Sequence, residues 1–159
     1  MQNTKKTIIV TAGEPAGIGT EITIKSILSN KFDKNLKIIF LTDPILIRDF
    51  LSKSKKKFLI NILNKEYNFS DYKFKHINVL PIKLNKKSHL GKLDKDNCEF
   101  VLKSIFLAVK LVLRKMADAV VTNPINKFIM KKNGFEFDGH TEFLGSLSKK
   151  NKNPIMLLE

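Results

Sequence analysis

The sequence has one cysteine (Cys98), no tryptophan and two arginines, Arg48 and Arg114. A single thiol cannot close an internal disulfide, nor can it supply the paired spacing of a zinc site. Seven glycines and five prolines are too few for a low-complexity linker. No internal repeat is visible. No apolar run approaches the ~20 residues needed to span a bilayer. The polar opening, Met1 to Lys6, lacks the apolar stretch of a secretion signal. These absences lead to the expectation of a cytoplasmic protein with no membrane partner. Lacking tryptophan and any regular basic–aromatic alternation, the chain also lacks the platform on which nucleic-acid bases stack.

Lysine, by contrast, is abundant. The 29 basic and 15 acidic residues give a net charge of +14. Such a charge invites a nucleic-acid partner, because phosphate contacts are independent of sequence and scale with positive charge. Lysines, however, run through almost every segment, including Lys53 to Lys57 and Lys149 to Lys152, and asparagine, isoleucine and phenylalanine are abundant too. That mixture resembles the coding bias of an AT-rich genome, with lysine filling solvated positions. The chain is therefore read as binding no nucleic acid. A non-catalytic basic binding module is the competing class, and it would show its lysines along one stripe.

With 159 residues and 43% hydrophobic content, the chain can build one real core. Apolar strands alternate with helical patterns. Thr7 to Val10, Lys37 to Leu41, Phe58 to Leu63, Ile77 to Leu80, Ala119 to Thr122 and Pro154 to Leu158 read as strands. Helices are expected over Thr20 to Leu28, with Asn30 as a stop, and over Ile45 to Leu51 after Thr42-Asp43-Pro44. A long helix capped by Asp94 or Asp96 should run to Met116, with Val101, Ile105, Ala108 and Val112 on its apolar face. Another should open at Pro124 and end at Asn133-Gly134, and a short one should span Glu142 to Leu147. Lys65 to Lys87 is polar and irregular. This alternation argues for an α/β fold, with a largely parallel sheet and helices on both faces.

In such sheets ligands gather at the carboxyl ends of strands. Thr11 to Gly19 (TAGEPAGIG) follows a strand and opens a helix, so it brings backbone amides close to a ligand or simply makes a tight turn. It matches neither a Walker A loop nor G-x-G-x-x-G. Thr122 to Lys127 (TNPINK) places a lysine near a helix start, where it can meet an anion as a point charge or stay solvated. Phe137 to Leu144 (FDGHTEFL) offers the imidazole of His140 and the hydroxyl of Thr141, groups suited to a phosphate or an alcohol. Thr141 could equally cap the helix that follows. His76 and His89 are expected at the surface.

Together, and in this order, the three motifs resemble the 4-hydroxythreonine-4-phosphate dehydrogenases of pyridoxal phosphate biosynthesis. Gly91-Lys92-Leu93 resembles the opening of that family's central helix, and the likeness is loose between about Lys53 and Lys87. The resemblance implies an isopropylmalate-dehydrogenase-like α/β fold, truncated here, with residues 1–159 as the N-terminal portion of a two-domain homodimeric enzyme. It implies NAD-dependent oxidation and decarboxylation of 4-phosphooxy-L-threonine to 3-amino-2-oxopropyl phosphate. A phosphorylated erythronate or threonate dehydrogenase of the same superfamily is the alternative. Substrate binding is carried over to His140 and Thr141, with Lys127, Asn126, Glu14 and Gly17 as weaker candidates. No residue is assigned as the catalytic acid or base. NAD and a divalent metal (Zn, Mg or Co) are expected as cofactors held mainly beyond Glu159, leaving no metal ligand in this chain and no competent dehydrogenase on its own. Two structural expectations follow. The Gly-rich loop and the His140 loop should converge, and the final strand should lack a neighbour and leave an apolar face open.

Overall fold

A computed structural model describes residues 5–29, 31–53, 58–64, 66–148 and 154–157. Its element order is β1 (Lys6–Val10), α1 (Gly19–Leu28), β2 (Leu36–Thr42), α2 (Pro44–Ser52), β3 (Ile60–Ile62) and β4 (Ile77–Pro81). A 3-10 turn (Lys95–Asn97) follows, then α3 (Cys98–Leu113), β5 (Ala119–Val121), α4 (Lys127–Lys132) and α5 (His140–Leu147). The five strands form one sheet in the order β3-β4-β2-β1-β5, every pair parallel.

Side-chain alternation divides the apolar residues between two layers. Ile9, Ile39, Leu41 and Leu80 face Val101, Ile105 and Ala108 of α3. Val10, Phe40 and Val79 face Ile24 of α1 and Ile47 of α2. Helices thus cover both faces, as the β-α alternation in the sequence requires.

The boundaries that moved did so for identifiable reasons. α3 stops at Leu113 rather than Met116 because Lys115 turns into the left-handed region at φ 60. The amides of Lys115 and Met116 then close on the carbonyls of Val112 and Leu111, a Schellman ending built without glycine. The buried face of α3 correspondingly takes Leu111, while Val112 is only half-buried. α4 begins at Lys127, not Pro124, because Asn126 Oδ1 accepts from the Ile129 amide and caps it there. It ends as expected, with Gly134 at φ 85 and the Phe135 amide closing on Met130 O. α5 starts two residues early, so Thr141 lies in its first turn and Gly139 is the cap residue.

The expected strand at Pro154 to Leu158 is corrected. Pro154 to Leu157 have no regular structure, and Ile155 and Leu157 are 86% and 90% exposed. An apolar run becomes a strand only where a ladder partner exists, and none of the described residues pairs with it. Leu158 lies outside the described residues, as do Asn30, the Ser54 to Lys57 part of the lysine-rich run, and Lys149 to Lys152. The edge next to the open space is instead β5, which pairs with β1 alone among the described residues.

Apolar surface stays open on the α1 side of that edge and along the outer face of α3. On the α1 side an apolar groove of about 290 Å³ is lined by Ile8, Val10, Ile22, Ile27 and Val121. On the α3 side a wider groove of about 800 Å³ runs along Phe106, Val109 and Leu113, and Leu113 is 59% exposed. Open apolar surface and a free strand edge promote association. Sedimentation of the 159-residue chain is expected to show concentration-dependent self-association, reduced by Leu113→Gln. A monomer at all concentrations would contradict this.

No helix among the described residues is long and apolar enough to cross a membrane. Exposed lysines sit on α1 (Lys25), on α3 (Lys103 and Lys110) and in the Lys83–Lys87 loop. They therefore lie on both sides of the sheet rather than along one stripe.

Candidate active site

Two of the three motifs interlock at the carboxyl ends of β1 and β5. The Thr11 amide donates to Val121 O at 3.0 Å, and the Glu14 amide to Pro124 O at 2.9 Å. Asn123 completes the joint: its amide donates to Thr11 Oγ1 at 3.1 Å, and its Nδ2 donates to Thr11 O at 2.9 Å and Thr23 Oγ1 at 2.8 Å. A buried carboxamide with its hydrogen bonds made holds two loops in one register. From the other face, Ser104 of α3 accepts the Ala12 amide at 3.3 Å. Neither Asn123 nor Ser104 stands out in sequence. The available signals are a carboxamide between a strand and a proline, and a lone hydroxyl inside an apolar helix face.

The candidates differ in how free their polar groups are. Asn126 spends its side chain on capping α4. Gly17 closes a turn on Glu14 O at 3.0 Å, with its amide as donor. Glu14 is buried, and its Oε1 accepts from the Ala16 amide at 3.0 Å. Burial pushes its carboxyl above the ordinary value, and the Ala16 hydrogen bond opposes this in part. Because the folded value is raised, folding favours the protonated form. Its contribution is present below the ordinary carboxylate range and is lost as pH rises through the raised value. Glu14→Gln is therefore expected to flatten the fall in stability over that window. Urea midpoints across the mildly acidic range measure it, and an unchanged slope would contradict it.

The third motif joins through Lys127. A Cβ placed on Gly139 would lie 3.5 Å from both Cε and Nζ of Lys127 and 3.7 Å from Glu142 Oε2. Lys127 forms no ion pair among the described residues, whereas Lys131, one turn on, holds Asp138 at 2.7 Å. The imidazole of His140 is half-buried, and its Nε2 is enclosed without a hydrogen-bond partner. Burial, and secondarily Lys127, lower its pKa, which favours the neutral ring. α5 itself is fixed by a phenylalanine cluster: Phe143 meets Phe106 and Phe135 edge-on, with centroids 5.3 and 5.1 Å away. The Gly-rich loop and the His140 loop are thus neighbours of one segment, Thr122 to Lys127, and their link runs through it.

Among the described residues no group of three or more His, Cys, Asp or Glu side chains could hold a metal. His89 lines a groove with Pro15 and Gly17 of the Gly-rich loop, whereas His76 lies just before β4, its Nδ1 against Phe74 O. Asp43, which follows β2, is the cap residue of α2. Its carboxylate is already engaged by the Ile45 and Leu84 amides at 2.9 and 2.8 Å.

Comparison with known proteins decides the family. The sequence profile described as "Pyridoxal phosphate biosynthetic protein PdxA" matches residues 33–159. The chain belongs to the PdxA family. It is 34% identical over 155 residues to the 4-hydroxythreonine-4-phosphate dehydrogenase of Wigglesworthia glossinidia brevipalpis, covering 95% of this chain and 44% of that protein. It is 30% identical over 158 residues to the enzyme of the same name from Saccharophagus degradans, again covering 44% of the relative. The chain therefore spans somewhat under half the length of these relatives. The crystal structure of the Klebsiella pneumoniae 4-hydroxythreonine-4-phosphate dehydrogenase superposes with a TM-score of 0.77 at 25% identity, over 90% of this chain and 44% of that one. A terephthalate 1,2-cis-dihydrodiol dehydrogenase from Burkholderia xenovorans shares the fold at a TM-score of 0.63 and 17% identity. The three motifs thus lie in a PdxA-family framework, although the profile itself begins after the Gly-rich loop.

Proposed function

We propose that this chain is the N-terminal portion of a two-domain, NAD-dependent dehydrogenase with an isopropylmalate-dehydrogenase-like fold. The reaction is oxidation of the secondary hydroxyl of 4-phosphooxy-L-threonine with loss of carbon dioxide, giving 3-amino-2-oxopropyl phosphate. The carrying observation is the unpartnered Nε2 of His140 beside Thr141 in a PdxA-family chain. A buried polar atom without a hydrogen bond costs on the order of 1–3 kcal/mol. That cost is relieved when a ligand hydroxyl or phosphate oxygen meets the ring. The Thr141 hydroxyl, also without a partner among the described residues, stands next to it in the same helical turn. Glu14 and Gly17 shape the neighbouring loop, and Lys127 supplies a positive charge beside the pair.

The nicotinamide cofactor and a divalent metal are assigned to residues outside this chain, as is the second subunit of a homodimer. The proposal is tested with a chimera in which this chain replaces the matched 44% of the Wigglesworthia enzyme. Supplied with 4-phosphooxy-L-threonine and NAD, it is expected to form NADH and release carbon dioxide. A folded chimera that turns over only phosphorylated erythronate or threonate would replace this substrate with those. One inactive on all three would overturn the reading.

A further inference from the structure

A groove of about 300 Å³ opens between the Gly-rich loop, α1, α2 and the loop that follows β4. Backbone bonds hold its walls together. The Gly91 amide donates to Ala16 O at 2.8 Å, and the Gly17 amide to Glu14 O at 3.0 Å. Neither His140 nor Thr141 lines the groove, and their helix packs elsewhere, through Phe143 against Phe106 of α3.

Two hydroxyls in this groove serve no bond of the fold. Thr20, in the first turn of α1, is only 9% exposed, yet its hydroxyl is neither enclosed nor hydrogen-bonded among the described residues. What remains accessible of this buried side chain therefore includes its polar atom, and the residue lines the groove. On the other wall, Ser88 Oγ is enclosed without a partner. Ile18, at the cap position of α1, supplies no side-chain acceptor to the amides of that first turn. Lys53, Lys87 and His89 add basic groups along the rim, and neither lysine forms an ion pair among the described residues. The facing carboxylates are Asp49 and Glu21, and Glu21 is engaged by Lys25. Phe50 and Leu90, the latter 69% exposed, give the groove an apolar wall.

We propose that this groove binds a phosphate ester carried on a flat, apolar body, the chemistry of a nucleoside monophosphate unit. The start of α1, the Thr20 hydroxyl and Lys87 meet the phosphate, and Phe50 and Leu90 meet the body. A helix start and a hydroxyl donor favour an anion, and lysine meets it as a point charge. A neutral ring would leave Thr20 and the lysines unused. A bare ion would leave Phe50 and Leu90 in water, and the groove has the size of a small-molecule site, which begins at roughly 300 Å³.

The test is NMR titration of the 159-residue chain with adenosine monophosphate, beside adenosine and inorganic phosphate. Adenosine monophosphate should perturb the Thr20, Ser88 and His89 resonances, and each of the two parts should bind at least tenfold more weakly. Lys87→Met and Thr20→Val should each weaken the nucleotide about tenfold, the equivalent of 1.4 kcal/mol. Lys110→Met, an exposed lysine of α3, should not, which separates the groove from the general field of a basic chain. If Thr20→Val fails to fold, Lys87→Met on the surface loop still answers. The phosphate ester has two possible sources, a free ligand or one end of the dinucleotide, and the chimera distinguishes them. A nucleotide that competes with NAD, with Lys87→Met raising the Michaelis constant for NAD, assigns the groove to the cofactor. Binding at saturating NAD assigns it to a separate ligand. No perturbation at the groove, or equal weakening by Lys87→Met and Lys110→Met, would overturn the inference. Because the titration uses neither substrate nor His140, its failure leaves the proposed reaction standing.

Discussion

In the chimeric enzyme, His140→Ala and Thr141→Ala are each expected to raise the Michaelis constant for 4-phosphooxy-L-threonine about ten- to a hundredfold while leaving that for NAD nearly unchanged. Losing a hydrogen bond to a charged group costs roughly 1.5–3 kcal/mol, and each 1.4 kcal/mol is tenfold in binding. The two variants differ in what they leave behind. His140→Ala removes a half-buried ring whose enclosed Nε2 has no partner among the described residues, so no other described group loses a bond to that atom. Thr141→Ala removes a hydroxyl from the first turn of α5, where the fold does not use it as a cap. Neither change breaks a hydrogen bond that the described residues record for those atoms, so loss of binding is separable from loss of folding. Steady-state kinetics with each substrate varied in turn measure the effect. A raised constant for NAD with the phosphorylated substrate unaffected would move the pair to the cofactor side.

The elements that carry the fold were legible because local chemistry and tertiary need agree. Asp43-Pro44 starts α2 where a cap and a proline start a helix, and Asp43 accepts the Ile45 amide at 2.9 Å. Thr7 to Val10 is a β-branched run that becomes a central strand. What escaped notice depends on partners far away in sequence. Lys115 ends α3 in a left-handed turn that gives no glycine signal. Pro124 does not open α4 because its carbonyl is taken by Glu14 from 110 residues earlier. Pro154 to Leu157 had strand composition without a ladder to join. At the site, the motifs named His140, Thr141 and Lys127, but the buried Nε2 and the unpaired ammonium depend on how α4 and α5 meet. Asn123, whose hydrogen bonds hold the first two motifs together, looked like one more polar residue in a loop.

That joint also sets the largest expected stability effect, at Gly13. Gly13→Ala combines two costs that can be separated by comparison with Gly134→Ala. Both glycines have positive φ, 69 and 85, so each substitution forces an L side chain into the left-handed region at roughly 1–2 kcal/mol. Around Gly134 there is nothing within 4 Å of the added carbon, and that cost stands alone. At Gly13 the added carbon would lie 2.7 Å from both Asn123 Cβ and Pro124 O. Neither can swing aside. The carbonyl is backbone that accepts the Glu14 amide, and Asn123 is pinned by Thr11 and Thr23. Overpacking of this kind adds roughly 1–3 kcal/mol, so Gly13→Ala should destabilise by on the order of 3 kcal/mol and Gly134→Ala by about half that or less. At this chain length the first corresponds to a fall in melting temperature of roughly 10 °C. Relief by displacement would have to move Asn123 and Pro124 together, and with them the segment leading to Lys127. In the chimera, Gly13→Ala should therefore also weaken substrate binding, whereas Gly134→Ala, with open space around it, should not. Thermal melts of the pair decide the matter. Equal losses from the two substitutions would show that the interlock at Asn123 yields without cost, and that the Gly-rich loop does not hold the Thr122 to Lys127 segment in place.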